Sequence, residues 1–539
     1  MVRALSTIIA MAVGMLALTL LGGCAPRKKD GLAAIERRGQ VAVCEGLDGP
    51  PFGYIDRDGK AKGLYHDLAG KVRDAIAKKL GRPLDLTSVR ETPASRVQFI
   101  KEGRCDFMFL MESGSRAGAL QYSREKFYAI GAVFVAPKSL HVTHWQDLRG
   151  RKVCGALGSA WMPVFEKKYG VEYVTFYNPA EVQKAVADGR CLGQITGVPP
   201  WERMQRSGKW QDFEAKFPPD AYFRMGIAFN RGDARMAALY DEIIRDWHRD
   251  GTIIALEKHY GIAPNLLAAA EHARYTGERS APVPPAPGGD DPPPIGAGAG
   301  EWLLDRGYNF SILFSDFDRS RFASGLGYTM VLAIGSLILS VIIGVAGAAV
   351  TQMRAAWPRS IVTGYVELFR NTPVLAQIYF FYFGIGSLLP MVSDDAGGQV
   401  RLLGNVPWAI IALGLHAGAF QVEALRAAIE GVPARLVEAA QALGMNRQQT
   451  FRHLILPIAV RRALPTIGNA LAQAIKSTST AYAIAVPELL YASNRIWTEG
   501  ANVPETMLML FITYMALVGV VGWSVRRLEK RLALPGAML

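Results

Sequence analysis

Residues 438–457 read EAAQALGMNRQQTFRHLILP, and this stretch decides how the C-terminal part of the chain folds. Glu438 to Leu443 are strong helix formers, Gly444 can end a helix, and Pro457 bars the continuation of the helix that follows. The pattern therefore predicts two short helices that meet at an angle. Such a pair, exposed on one face of a membrane, can fit a groove on a partner protein.

Apolar segments on both sides of this stretch are long enough to cross a bilayer, which takes about 20 residues each. Five spans are predicted, the second of them long and interrupted by Pro373: 328–353, 361–391, 406–425, 464–485 and 506–523. Arginines collect in the two loops and the tail predicted to lie inside, whereas the outer loop after the second span carries Asp394 and Asp395. This agrees with the positive-inside rule. We expect an all-α membrane domain over 318–532.

The region before the membrane domain has a different pattern. Residues 276–300 read TGERSAPVPPAPGGDDPPPIGAGAG, and proline and glycine at this density predict a linker, which we place at 273–302. Before it, 31–272 alternates short β-rich runs with helical patterns. That alternation predicts parallel sheets covered on both faces, with a ligand at the carboxyl ends of the strands.

The first 24 residues have the pattern of an export signal. Arg3 precedes an apolar run over 8–21, and Cys24 follows Leu21-Gly22-Gly23 directly. This end resembles the lipobox at which bacterial lipoproteins are cleaved and acylated, so 1–24 is predicted to be a lipoprotein-type signal peptide. An uncleaved signal anchor is the alternative. Both place the following domain outside the cytoplasm.

The other four cysteines all precede the linker. Cys44 and Cys154 share one sequence context, and Cys105 and Cys191 share another, Gly-Arg-Cys. If each pair lies on neighbouring strands of one lobe, the disulfides are Cys44–Cys105 and Cys154–Cys191; reduced core cysteines are the alternative. No CxxC spacing points to a metal.

Composition limits the class of protein. The 539 residues are 50% hydrophobic, which suits a soluble part joined to a membrane part. The net charge of +13 is explained largely by arginines at the membrane, and no basic stripe is interleaved with aromatic residues. Nucleic acid is not an expected partner.

The stretch at 438–457 resembles the EAA loop of ABC importer permeases, which docks on the ATPase. Further matches to the permeases of the polar amino-acid uptake family are Tyr365 to Pro373, Gly418-Ala419-Phe420, Glu423, Arg426, Leu464-Pro465, Asn469, Lys476 and Glu488. The resemblance implies that the ATPase is coupled through Glu438, Ala439, Ala440, Leu443 and Gly444. Arg435-Leu436 and Ile458 depart from the family's usual Gly-Gln and Gln, which affects the fine geometry of docking.

No phosphate-binding GxxxxGK[ST] motif occurs in the sequence, so the chain does not hydrolyse ATP alone. The resemblance implies a separate ABC ATPase subunit on the cytoplasmic face and, with one permease unit per chain, a homodimer in the membrane lipid. We expect a multi-pass protein of the bacterial inner membrane that is not an enzyme and has no cofactor or metal.

The soluble region resembles the amino-acid-binding proteins of the same transport family. The matches are Pro50 to Tyr54, Asp58-Gly59, Gly63, Asp67-Leu68, Asp106, Arg116, Tyr122-Ser123, Asp147-Leu148, Gly150, Gly158-Ser159 and Asp188-Gly189-Arg190. The implied fold class is multidomain: a two-lobed α/β periplasmic-binding-protein fold of type II, followed by an all-α transmembrane ABC permease domain of about five spans.

The resemblance also implies the ligand contacts. Arg116 stands where the family clamps the ligand's α-carboxylate, a task that suits a planar guanidinium. Gly158, Ser159 and Ala160 open a helix whose free N–H groups favour the same anion. The apolar walls are expected from Phe52, Tyr54 and Trp161.

Two departures concern the substrate. Gly197 falls where the family usually has an Asp for the α-ammonium, and Glu112-Ser113 stand where a small hydroxyl segment is expected. Glu112 is a candidate for the missing negative charge; otherwise the ligand has no α-ammonium. The segment Gly-Arg-Cys-Asp also resembles binding proteins associated with quinoprotein alcohol dehydrogenases, which leaves the substrate open.

The expected function is import of a small carboxylate-bearing solute by alternating access. A ligand-gated channel is an alternative, although nothing like the TVGYG filter is present. An enzyme that acts as a dehydratase is a second alternative, but Glu112 would be its only candidate general acid. A receptor that signals through the ATPase remains open.

Overall fold

A computed structural model describes residues 30–47, 49–92, 95–113, 116, 119–280, 282–283, 299–306, 308–353, 355–393, 399–500 and 502–532. The predicted signal peptide and most of the predicted linker lie outside the described residues. The chain divides into two compact units. The first contains the chain up to Arg319 together with Val392–Val400 and Arg495–Thr506, and the second contains Ser320–Met391, Arg401–Asn494 and the chain from Met507 onward.

Fourteen strands lie in the described residues. They are β1 Gln40–Glu45, β2 Tyr54–Ile55, β3 Ala61–Lys62, β4 Asp85–Arg90, β5 Phe107–Met111, β6 Leu120–Tyr122, β7 Tyr128–Pro137, β8 Lys152–Ala156, β9 Glu172–Phe176, β10 Gln194–Gly197, β11 Phe213–Ala215, β12 Tyr222–Asn230, β13 Met391–Ser393 and β14 Gln399–Arg401.

The helices of the N-terminal region alternate with these strands. They are α1 Gly31–Arg38, α2 Leu64–Leu80, α3 Arg96–Lys101, α4 Trp161–Tyr169, α5 Pro179–Ala187, α6 Val198–Arg206, α7 Ala234–Asp250, α8 Thr252–Tyr260 and α9 Leu266–Thr276, with a 3₁₀ turn at Trp145–Leu148. Helix α9 extends four residues into the stretch predicted as linker. Its N-terminus is capped by Asn265 and its C-terminus ends at Gly277, so the chain leaves the helix only there.

The main sheet has the strand order β4-β1-β5-β12-β7-β10-β8-β9. Strand β1 is parallel to β4 and β5, and β8 is parallel to β9. Strands β7 and β12 run antiparallel to their neighbours and connect the two halves, so the sheet is mixed rather than parallel throughout. This gives two lobes, each with its own apolar core, and the type II two-lobed fold is confirmed.

Both predicted disulfides are present. Cys44 on β1 is bonded to Cys105, with the Cα atoms 5.5 Å apart, and Cys154 on β8 is bonded to Cys191, with the Cα atoms 5.6 Å apart. Each bridge joins a central strand to the residue that leads into a neighbouring strand of the same lobe. The prediction from the paired sequence contexts is therefore confirmed.

The C-terminal region is helical. Its helices are α10 Ala299–Asp305, α11 Ser311–Phe314, α12 Asp316–Thr351, α13 Ala356–Asn371, α14 Val374–Tyr379, α15 Asn405–Glu430, α16 Ala434–Ala442, α17 Arg447–Thr450, α18 Leu456–Ser477, α19 Leu489–Gly500 and α20 Val503–Leu532. In the part of the chain that the structure describes, three helices are long and apolar enough to cross a membrane: Asp316–Thr351, Asn405–Glu430 and Val503–Leu528.

The second and fourth predicted spans are not single continuous α-helices. Pro373 separates α13 from α14, and the chain continues as a π-helical turn at Phe380–Gly384 and a 3₁₀ turn at Ile385–Ser387. Helix α18 continues as a 3₁₀ turn at Thr478–Ile484. The interruption of the second predicted span at Pro373 is observed, and the fourth predicted span is also composite, with a 3₁₀ turn at its end.

Small residues set the packing of α12 against α15. A Cβ atom added to Gly344 would lie 2.6 Å from the Cβ of Gln421, and one added to Gly347 would overlap Val422. Ala348 and Leu425 belong to the same apolar cluster. Close approach through glycine and alanine is typical of helices that pack in a membrane.

The prediction that Pro457 bars the continuation of a helix is wrong. The chain runs from α17 through a π-helical turn at Phe451–Ile455 directly into α18, where Pro457 is the second residue. A π turn widens the helix just where the proline lacks its N–H and its ring needs space.

Candidate ligand-binding site

A cavity of about 240 Å³ lies between the two lobes. Its first-lobe wall follows the ends of β1 and β4, and its second-lobe wall includes β10 and the start of α4. Among the residues that line it are the aromatic residues Phe52, Tyr65, Phe109 and Trp161 and the polar residues Glu45, Glu91, Arg96, Ser159, Gln183, Gln194, Thr196 and Arg203. The cavity lies at the carboxyl ends of strands, where the sequence predicted the ligand to bind.

Local chain geometry holds the aromatic wall. Gly63 has a φ of +121°, and a Cβ there would lie 2.5 Å from the carbonyl oxygen of Phe52. Because glycine allows this approach, the backbone N–H of Tyr65, in the first turn of α2, donates to that carbonyl at 2.9 Å. The rings of Phe52 and Tyr65 then have centroids 5.4 Å apart, and Tyr65 and Phe109 follow at 5.9 Å. The result is a continuous aromatic surface.

A buried carboxylate ends strand β1. Glu45 is 3% exposed, and its Oε1 accepts hydrogen bonds from Ser88 Oγ at 3.0 Å and from His66 Nδ1 at 3.1 Å when that nitrogen carries the proton. Its Oε2 is buried and has no partner among the described residues. The hydrogen bond to Glu45 raises the pKa of His66 above its usual value, more than partial burial lowers it.

A second acidic residue follows β4. The Oε2 of Glu91 lies 3.2 Å from Nε of Arg96, and both side chains are largely buried. This ion pair places one negative and one positive group on the same wall of the cavity. Glu45, Glu91 and Arg96 were missed in the sequence, where only Glu45 had a signal, because it directly follows the β-rich run at 40–44.

Arg116 is the largest fully buried side chain of the described residues, at 1% exposure. Its Nη2 donates to the carbonyl oxygen of Gly158 in the other lobe, while Nε and Nη1 find no hydrogen-bond partner among the described residues. Burial lowers the pKa of the Arg116 guanidinium, and the nearby Tyr122 opposes that shift. Two nitrogens of the guanidinium, Nε and Nη1, are thus held in a dry environment.

The predicted ligand residues separate into two groups. Phe52, Ser159 and Trp161 line the cavity, and the helix that the resemblance implied at 158–160 is α4, which begins at Trp161 with Ala160 as its N-cap. The others are not among the lining residues: Tyr54, Glu112, Ser113, Arg116, Gly158 and Ala160. Glu112 is half exposed and pairs with Lys126 at 3.1 Å, outside the wall of the cavity.

Gly197 has no room for the side chain that the family usually has there. A Cβ at this position would lie 2.9 Å from Cγ2 of Ile130 and 3.6 Å from the ring of Trp161. The apolar packing of β10 on the neighbouring strand fills the space of the missing Asp. For a ligand with an α-ammonium, the negative group would have to come from elsewhere in the cavity; a ligand without one needs no such group.

The predicted coupling loop forms a separate exposed feature. Glu438, Ala439, Leu443 and Gly444 are exposed and Ala440 is buried. Gly444 has a φ of +85°, which turns the chain between α16 and α17, and the side chain of Leu443 is 85% exposed. An apolar side chain so exposed beside a turn suits a contact with a partner protein.

Comparison with known families matches both halves of the chain. Residues 336–534 match the family described as binding-protein-dependent transport system inner membrane component. Residues 41–263 match the bacterial extracellular solute-binding proteins, family 3. The two matched regions are separated by the predicted linker.

Individual relatives match the membrane half. A probable glutamine ABC transporter permease protein of Bacillus subtilis (strain 168) is 32% identical over 225 residues, which cover 42% of this chain and 98% of that protein. A nopaline transport system permease protein of Agrobacterium fabrum is 32% identical over 206 residues, which cover 36% of this chain and 83% of that protein. Among solved structures, the cysteine-binding protein from Campylobacter jejuni is 19% identical, covers 45% of this chain and 98% of its own, and has a TM-score of 0.39.

Proposed function

The chain belongs to the binding-protein-dependent inner-membrane transport components and carries a family 3 solute-binding domain on the same polypeptide, and we propose that it imports a small carboxylate-bearing solute of the amino-acid class. The relatives support the amino-acid class, since one is named for glutamine and another for nopaline. Capture and translocation would then be functions of one chain.

The observation that carries the carboxylate assignment is the buried guanidinium of Arg116, which does not itself line the cavity but bonds to Gly158, the neighbour of the lining residue Ser159. Two of its nitrogens have no hydrogen-bond partner among the described residues, and its third reaches Gly158 in the opposite lobe. A buried cation without an anion is costly, so an anionic ligand group that enters this place is favoured strongly. A ligand carboxylate bound here would contact both lobes and favour their closure.

The proposed mechanism is alternating access. The solute-binding domain, outside the inner membrane, closes on its ligand and delivers it to the permease domain of its own chain. The tether raises the local concentration of the binding domain to about millimolar. A separate ABC ATPase docks on the loop around Leu443 and Gly444 from the cytoplasm, and two permease domains form a homodimer. Cleavage of the signal and acylation of Cys24 are part of this proposal.

Transport by the reconstituted system tests the proposal. The full chain and its ATPase subunit are placed in proteoliposomes, and uptake of radiolabelled L-glutamine, L-arginine and L-histidine is measured with and without internal ATP. We expect ATP-dependent uptake of at least one of these, and its loss in Arg116→Ala. ATP-independent, ion-selective conductance induced by the same ligands would instead indicate a channel and contradict the proposal.

A further inference from the structure

Buried oxygen atoms without partners collect at the start of helix α20. They belong to four residues that are each at most 7% exposed, which we call the α20 cluster: Asn309, Asn502, Glu505 and Thr506. Oδ1 of both asparagines, Oε2 of the glutamate and Oγ1 of the threonine have no hydrogen-bond partner among the described residues. Because unpartnered oxygens are costly away from water, such a cluster favours an occupant that they can bind.

Hydrogen bonds hold the side chains of the α20 cluster against one another. The backbone N–H of Asn309 donates to Oε1 of Glu505 at 2.9 Å, and its Nδ2 donates to the carbonyl oxygen of Gly500 at 3.1 Å. Nδ2 of Asn502 donates to the carbonyl oxygen of Asn309 at 2.9 Å and to Ser311 Oγ at 3.1 Å. Since a carbonyl oxygen only accepts, these bonds fix the orientation of each amide. The unpartnered atoms of both amides are therefore the oxygens.

Gly500 leaves space beside one of these oxygens. A Cβ atom added there would lie 3.0 Å from Oδ1 of Asn502 and 3.5 Å from Nδ2 of Asn309. Gly500 is the last residue of α19, and it is not among the glycines with a positive φ, so its backbone conformation does not require glycine. An alanine at this position would occupy part of the space next to the free oxygen of Asn502.

The chemistry of the α20 cluster selects the class of occupant. Its free atoms are all oxygens, which are the ligands that hard cations prefer. Glu505 supplies one negative charge, and the hydrogen bond that its carboxylate receives comes from a neutral N–H. One carboxylate balances one positive charge. A divalent ion would leave a net charge in a buried place, which is costly.

We propose that the α20 cluster binds a monovalent metal ion, for which Na⁺ is the probe. The ion joins the segment between α10 and α11 to the first turn of α20, and all four residues belong to the first compact unit. None of them lines the cavity between the lobes, so the inference is independent of the solute. Amide and hydroxyl oxygens do not mark a metal site in a sequence, so this proposal revises the expectation of no metal.

Sodium binding and thermal unfolding of the full chain in detergent test the inference, with sodium chloride exchanged for choline chloride at equal ionic strength. We expect the wild type to bind radiolabelled sodium and to melt about 2–4 °C higher in sodium, as linkage requires of an ion that binds only the folded state. Glu505→Gln removes the charge and should abolish both effects. Gly500→Ala fills the space beside Asn502 and should weaken both.

Two matched controls should behave as the wild type. Glu172→Gln makes the same change at an exposed position on β9. Gly70→Ala makes the same change inside α2, where a Cβ would meet nothing within 4 Å. The comparison of the two salts within each variant removes any effect of a substitution on stability that does not depend on sodium.

The outcomes are distinct. Absence of sodium binding by the wild type, with equal melting temperatures in both salts, overturns the inference and assigns the α20 cluster to ordered water. A sodium effect that is unchanged in Glu505→Gln also overturns it, because the ion then binds elsewhere. A larger rise with calcium chloride than with sodium chloride overturns the monovalent assignment. If Glu505→Gln does not fold, an unchanged sodium effect in Gly500→Ala overturns the inference and a weakened one supports it.

Discussion

The Nδ1 atom of His66 lies 3.1 Å from Oε1 of Glu45, which joins the first turns of α2 to the end of β1. The carboxylate of this pair is almost fully buried, whereas the imidazole is about one quarter exposed. Ser88 on β4 donates to the same oxygen. Three neighbouring elements of the first lobe therefore meet at one side chain that faces the cleft.

This pair makes the stability of the first lobe depend on pH. Since the hydrogen bond to Glu45 raises the pKa of His66 in the folded state, its stabilising contribution is complete below the unfolded value of about 6.5. The contribution is lost as the pH rises through the higher folded-state pKa. We expect His66→Gln to lower the melting temperature of the chain more at pH 5.5 than at pH 8.5.

The comparison with wild type at each pH is needed because another histidine acts in the opposite direction. Burial lowers the pKa of His248, so that residue favours unfolding as the pH falls below about 6.5. His248 is present in both the wild type and His66→Gln, so its effect cancels when their melting temperatures are compared at the same pH. His141→Gln, an exposed change, should shift the melting temperature little at either pH. If His66→Gln lowered the melting temperature equally at both pH values, that result would contradict the stabilising role assigned to the pair of His66 and Glu45.

Arg116→Lys tests the guanidinium as a carboxylate clamp. A lysine keeps the charge but cannot form two parallel hydrogen bonds, so we expect the affinity for a bound amino acid to fall about 10- to 100-fold. Arg116→Ala should lower it further. Isothermal titration of the full chain gives both values. Arg57→Lys, which changes an exposed arginine, is the control. Unchanged affinity in Arg116→Lys would remove Arg116 from the binding site.

The sequence predicted the architecture well because its signals were local. The change from an α/β region to a membrane region and the stretch at 438–457 each depend on neighbouring residues, and the two matched families, at 41–263 and 336–534, agree with that division. The disulfides were also predictable, since each Gly-Arg-Cys segment leads into a strand beside its partner.

The cavity was less predictable because its residues come together only through the sheet. Glu45 and Ser88 are 43 residues apart, yet the parallel pairing of β1 with β4 places Ser88 opposite Val43, two residues before Glu45. The sequence around Glu45 does not indicate that Ser88 will be its neighbour in the sheet. For the same reason Glu112, close to Arg116 in sequence, was expected at the ligand but pairs with Lys126 instead.

Both disulfides are expected to stabilise the solute-binding region. The bridges join residues that are 61 and 37 positions apart in the chain. In the chain-entropy account, removing a bridge that closes a loop of this size lowers the free energy of unfolding by about 2–4 kcal/mol. Cys44→Ser with Cys105→Ser, or Cys154→Ser with Cys191→Ser, should each lower the melting temperature by several degrees. Intact mass with and without reductant is the direct measurement. Four free thiols at these positions in protein made in the periplasm would contradict the bridges.

Leu443 offers a sharp test of the ATPase contact. Its side chain is 85% exposed, so Leu443→Ala should leave the melting temperature of the chain nearly unchanged. If this side chain docks on the ATPase, the loss of buried apolar surface weakens the complex by about 1.5–3 kcal/mol. We expect solute-stimulated ATP hydrolysis and uptake in proteoliposomes to fall at least fivefold, with solute affinity in titration unchanged. Leu388→Ala is a closely matched control, because that side chain is 83% exposed and the proposed topology places it at the outer end of the second span. Equal losses in both variants would point to general damage to the membrane domain, and full activity in Leu443→Ala would exclude this residue from the coupling surface.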